Sequence, residues 1–119
     1  MVETVEIVYE SARVQRYFLD YEMTARRIGR ELARNLKKRM NQIEAAETFQ
    51  DYLMLRLGNP HSLDGDLYGS YSVALSGNIR LILTPQCSSL DPASLNQCKY
   101  VAVKGVCDYH GSKTQWIIP

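Results

Sequence analysis

The chain has 119 residues, 45 % of them hydrophobic and 23 % charged, with 14 Lys and Arg against 13 Asp and Glu for a net charge of +1. That length suits one domain spanning residues 1–119, and the composition is too apolar for a disordered chain. No apolar run reaches the roughly 18 residues of a membrane span, and the acidic N-terminus (Glu3, Glu6, Glu10) lacks the basic start of a signal peptide. Three cysteines, Cys87, Cys98 and Cys107, contain no C-x-x-C pair; neither a disulfide scaffold nor a zinc site is expected, and a reducing cytoplasm fits best.

Val5–Tyr9 is a β-branched and aromatic run that predicts a first strand. Ser11 is placed to cap a short helix over Arg13–Leu19, with Asp20 and Tyr21 at the joint and Thr24 as a candidate cap for the next helix. From Ala25 to Ala46, apolar residues recur at Ala25, Ile28, Leu32, Leu36, Met40 and Ile43. Those spacings predict one helix, weakened by about 1 kcal/mol at Gly29 relative to Ala. Phe49–Leu57 predicts a further helical piece, ended by Gly58-Asn59-Pro60.

The period then changes. Tyr71, Val73 and Leu75 alternate with smaller residues, Ser76-Gly77-Asn78 makes a turn, and Ile79, Leu81 and Leu83 alternate again up to Pro85. This predicts a β-hairpin. Asp91-Pro92 predicts a capped short helix, Val101–Cys107 another strand, and Trp116-Ile117-Ile118 an apolar tail that folds back, after the polar stretch from Gly111 to Thr114. The order predicts an α+β domain: an N-terminal strand and a two-helix hairpin packed on a mainly antiparallel sheet of about four strands.

Four features can carry chemistry. Arg26, Arg27, Arg30, Arg34, Lys37, Lys38 and Arg39 are half of all the basic residues, opposed locally only by Glu31. Such a stripe is either a solvated face or a docking surface for phosphate backbone or an acidic partner. His61 opens a polar, turn-rich segment and can transfer protons near neutral pH or fix a loop. Arg80, inside a strand, can bridge a carboxylate or clamp a phosphate. Asp108-Tyr109-His110 at a strand end is not needed for packing; it is either a plain polar terminus or a functional rim.

Taken in order, His61-x-Leu63-x-Gly65-Asp66-Leu67-x-Gly69-x-Tyr71-Ser72, then Gly77-Asn78-x-Arg80-Leu81-Ile82, then Asp108-Tyr109-His110, the chain resembles the HigB-like branch of the RelE/ParE toxin superfamily. The resemblance implies a RelE-like fold and a type II toxin that cuts messenger RNA on the ribosome and is silenced by a cognate HigA-like antitoxin. It implies catalysis without metal or organic cofactor. His61 and His110 would transfer protons, Arg80 would hold the scissile phosphate, Tyr109 would stack on or orient a base, and Asp108 would orient a neighbour or accept a proton. The basic helix would contact ribosomal RNA or be covered by the antitoxin. One departure stands out: Asp64 occupies a position where ribosome-dependent relatives often carry Lys. Either the electrostatic task falls on Arg80, helped by Lys104 or Lys113, or the nuclease is weakened. Two rivals follow: a ParE-like toxin that blocks a protein target such as gyrase, and a module that only binds its antitoxin.

Overall fold

The computed structural model describes residues 3–110 and 113–119; for His110 it describes the backbone only. Among the described residues, five helices and six strands follow one another as β1 (Glu6–Tyr9), α1 (Ala12–Phe18), α2 (Tyr21–Ile28), α3 (Arg30–Ala45), α4 (Phe49–Leu55), β2 (His61–Ser62), β3 (Tyr71–Ala74), β4 (Ile79–Pro85), α5 (Pro92–Leu95), β5 (Tyr100–His110) and β6 (Lys113–Ile118). A single 3-10 turn, Gly65–Leu67, lies between β2 and β3. The α+β architecture is the one expected, with six strands where about four were expected.

The helix starts follow local chemistry. Ser11 Oγ accepts from the Val14 amide (3.1 Å), Asp20 Oδ1 from Met23 (3.0 Å), Thr48 Oγ1 from Asp51 (3.1 Å) and Asp91 Oδ1 from Ser94 (2.7 Å). Asp20, not Thr24, caps α2; Thr24 is buried inside that helix and its hydroxyl donates to the Tyr17 carbonyl. Replacing Thr48 by Ala should cost about 1 kcal/mol, the usual worth of such a cap; urea unfolding would show the midpoint falling with an unchanged slope.

The expected single helix over Ala25–Ala46 is two helices. Gly29 takes φ 92° and ψ 157°, ending α2 and starting α3. Glycine reaches that region without a Cβ penalty. Across this break Arg30 pairs with Glu22 through two hydrogen bonds of 3.2 and 2.9 Å.

The sheet order is β1-β5-β4-β3-β2, with β6 also paired to β5. β5 is longer than Val101–Cys107 and is the hub. It takes β1 in parallel along Tyr100–Val103 and β6 antiparallel along Val106–His110, so both share one of its edges. β4 fills its other edge. The apolar tail does fold back, as β6. Gly105 separates the two halves of that shared edge. An added Cβ there would lie 2.0 Å from the Ile118 carbonyl oxygen and 3.2 Å from the Trp116 ring.

Strand alternation gives the sheet two different faces. Tyr71, Val73, Leu81, Leu83, Val101, Val103, Val106 and Ile118 form one cluster with Val14, Leu36, Met40, Ile43, Phe49 and Tyr52 from the helices. Ile82, Ala102 and Cys107 are also buried but stand outside that cluster, on the other face. Tyr52 anchors α4 by donating its hydroxyl to the Leu57 carbonyl (2.6 Å), and burial pushes that hydroxyl up to about 12.

Candidate active site on the open face of the sheet

Register decides which of the candidate residues meet. Arg80 pairs with Cys107 on one side and Ala74 on the other, so its side chain projects from the face away from the helices. Two residues beyond Cys107, Tyr109 projects from the same face. Trp116 pairs with Cys107 across β6 and joins them. His61 pairs with Ser72, which pairs with Ile82, again on this face. Two strand spacings and two residues of rise put the Cα atoms of His61 and Arg80 roughly 12 Å apart. That gap is within reach of a bound dinucleotide.

Asp108 is placed differently. It pairs with Ile79 and lies in step with Val106 and Leu81, on the helix side of the sheet. Arg80, Tyr109 and His61 therefore share a face that Asp108 does not. The backbone of His110 pairs with Lys113 at the open end of β5. The His110 side chain, and residues 111–112 of the polar stretch, lie outside the described residues.

Arg80 is half-buried, and its Nη1 donates to the Ser76 carbonyl (3.0 Å), which holds the guanidinium over the hairpin turn. It takes part in neither ion pair found among the described residues, Arg30–Glu22 and Lys104–Glu10. Its positive charge is felt by its neighbours. Burial first, then the Cys107 thiol, raises the Tyr109 hydroxyl, and Arg80 opposes the rise. Tyr109 is thus a neutral phenol at physiological pH. Burial pushes the Cys107 thiol up to about 11. With no exposed surface it is an inert packing thiol and not a nucleophile.

His61 is exposed, and among the described residues no hydrogen bond holds its ring. Asp64 is exposed three residues later, leading into the 3-10 turn without a side-chain cap. Lys104 is engaged by Glu10, with its Nζ 2.8 Å from Glu10 Oε1. Lys113 is exposed on β6. Among the described residues no group of three or more His, Cys, Asp or Glu side chains is arranged to hold a metal.

The basic stripe does not border this face. Ala33, Leu36, Met40 and Ile43 turn α3 inward onto the core, which leaves Arg34, Lys37 and Lys38 exposed on its outer side while Arg39 reaches back to β3. The break at Gly29 also divides them. Arg26 and Arg27 belong to α2, and Arg27 Nε donates to the Ile117 carbonyl (3.0 Å). Arg30 is held by Glu22, while Arg39 donates to the Ala74 carbonyl and to Gln42. Arg34, Lys37 and Lys38 line a shallow surface depression with Asn41, Gln42 and Ala45, and Lys37 Nζ lies 5.7 Å from the Tyr21 ring centroid.

Trp116 was read in the sequence only as part of an apolar tail. Its placement opposite Cys107 follows from the β5–β6 register, for which the local sequence carries no signal.

The class defined here is an α+β domain with helices on one face of an antiparallel-rich sheet and an open face bearing an arginine, a tyrosine and a histidine. Solved structures with this fold include the YoeB–YefM complex from Staphylococcus aureus, at 15 % identity and TM-score 0.53, covering 89 % of this chain and 97 % of that one. The heterotetrameric YoeB–YefM toxin–antitoxin complex and the YoeB dimer, both from Staphylococcus aureus, match at 16 % identity with TM-scores of 0.53 and 0.52, over the same shares of the two chains. No protein-family model and no curated protein matches the chain.

Proposed function

We propose that this chain is the toxin of a type II toxin–antitoxin pair, a metal-independent endoribonuclease that cuts messenger RNA on the ribosome in the cytoplasm. The supporting observation is the meeting of Arg80 and Tyr109 on an open sheet face with His61 across it. The fold shared with YoeB supports the same class. Within that class the His61–Ser72, Gly77–Ile82 and Asp108–His110 motifs favour a HigB-like member, whose antitoxin would be HigA-like; a YefM-like antitoxin is the alternative that the structural neighbours suggest.

Metal-free RNA cleavage uses the 2′-hydroxyl as nucleophile. It needs a base for that proton, an acid for the departing 5′-oxygen, and a cation beside the negatively charged oxygens of the pentacoordinate phosphorane. Arg80 supplies the charge. His61 and His110 are the proton-transfer groups, and Tyr109 stacks on or orients an unpaired base. Asp108, on the opposite face, acts on its neighbours in β5 and not on the phosphate.

Primer extension on message recovered from an in-vitro translation reaction tests the proposal. Cuts that appear within codons only when ribosomes and protein are both present support it. Blocked DNA supercoiling with intact message would replace it with the ParE-like reading, which the anionic Asp64 near His61 favours. No effect on either would leave an antitoxin-binding module.

The outward cations on α3 serve docking and not chemistry, because they face away from Arg80. Changing Arg34, Lys37 and Lys38 together to Glu should weaken ribosome binding and flatten its salt dependence, since fewer counterions are released. Equal co-sedimentation of variant and parent across a salt series would make the stripe a solvated face.

A further inference from the structure

Cys87 and Cys98 have no part in the proposed chemistry, yet the fold brings them together. The Gln86 amide donates to the Tyr100 carbonyl (2.9 Å), continuing the β4–β5 ladder by one step and closing the connection between the two strands at its base. Cys87 and Cys98 stand at the two ends of that connection, just inside the closing bond. Both thiols are free, and Cys87 packs against the buried cluster that contains Cys98. The two differ in access. Cys98 is 2 % exposed. Cys87 is half-buried and lines a surface cleft of about 400 Å³ with Gln86, Ser88, Ala93, Ser94 and Gln97. The Cys87 thiol donates to the Ser89 carbonyl (3.1 Å), and the Cys98 thiol to the Tyr100 carbonyl (3.3 Å).

We propose that Cys87 and Cys98 form a reversible oxidative modification site, closed to an intramolecular disulfide by a hydroperoxide entering through the cleft beside Cys87. The Cys87 thiolate attacks one peroxide oxygen, the O–O bond breaks, and hydroxide leaves, giving a sulfenic acid. The Cys98 thiol, which burial pushes up to about 11, then attacks that sulfur as its proton passes to the departing oxygen; the S–O bond breaks and water leaves as the S–S bond forms. Two thiols lose two electrons, and hydrogen peroxide becomes two molecules of water once the thiol protons are counted.

The bond would tie α5 and its flanking loops to the core at a point where other contacts converge. The Phe49 amide donates to the Cys98 carbonyl (3.0 Å) and Lys99 Nζ to the Glu47 carbonyl (3.0 Å), so the start of α4 rests on the same segment. Arg80 and Tyr109 are not part of it. Oxidation therefore stabilises the fold and leaves the open face unchanged.

The experiment treats the folded chain with hydrogen peroxide, alkylates it in denaturant and digests it with trypsin. Cleavage after Arg80 and Lys99 leaves both cysteines in one peptide, residues 81–99. The expected result is an unalkylated 81–99 peptide lighter by two hydrogens, with Cys107 alkylated, reversal by dithiothreitol, and a melting temperature about 5–10 °C higher in the oxidised form. Cys87→Ser, at the more accessible position, should remove both the cross-link and the thermal gain while still folding. A doubly alkylated 81–99 peptide after peroxide, a sulfinic acid on Cys87, or a bond to Cys107 or to a second chain would each overturn the proposal.

Discussion

Replacing Arg80 by Ala should slow RNA cleavage by a factor of about 10²–10³, the loss expected when one preorganised charge donor to a transition state is removed. The guanidinium is positioned by the Ser76 carbonyl and belongs to neither described ion pair, so its charge is available to a phosphate. Lysine would restore the charge and not the fork geometry, and Arg80→Lys should recover only part of the rate. Melting measured beside activity separates chemistry from structure. An Arg80→Ala variant that melts with the parent and cleaves a hundred times more slowly supports the assignment. Unchanged cleavage by the folded variant would remove Arg80 from the reaction, and growth arrest persisting at full strength would favour the non-nucleolytic reading.

The second large effect is on stability. Changing Gly105 to Ala should cost several kcal/mol, at the upper end of single substitutions. The added methyl would overlap the Ile118 carbonyl at 2.0 Å, and φ of 152° is itself unfavourable for a side chain. A main-chain oxygen in a strand cannot swing aside as the end of a lysine can, so β6 must move. Trp116, the single tryptophan, lies over this glycine and should report the movement as a red-shifted emission. An alanine variant with parental melting and emission would show that β6 is not seated as described.

The parts of the fold governed by local chemistry were legible in the sequence. Ser11 and the Asp91-Pro92 cap lie where expected, and the hairpin around Gly77 was visible from alternation alone. The break at Gly29 was not, because the apolar period runs through it on both sides. Its physical mark is the Arg30–Glu22 pair: eight residues of continuous helix would separate them by about 12 Å of rise. The two-residue strand β2 and the parallel β1–β5 pairing depend on distant partners and leave no local trace.

The candidate site divided in the same way. Residue types at His61, Arg80 and Tyr109 were readable, but Asp108-Tyr109-His110 was treated as one group. A strand sends successive side chains to opposite faces, and this separates Asp108 from Tyr109. The basic stripe was visible as charge, whereas its orientation away from Arg80 required knowing what α3 rests on.

The hub position of β5 also sets a timetable for synthesis. Its partner β1 is made first, but their parallel ladder joins residues 6–9 to residues 100–103 and cannot form until residue 103 has been made. β4 and β6 depend on the same late strand. Contacts of such long sequence separation are slow to close. Arg80 is translated well before the strand that brings Tyr109 beside it, so a nascent chain has no assembled site while it is being made. Fragments ending before Tyr100 retain the β3–β4 hairpin but should show no hydrogen-exchange protection in β1, whose ladder needs β5. The residues proposed to act together therefore meet only after β5 has been made and has left the ribosome.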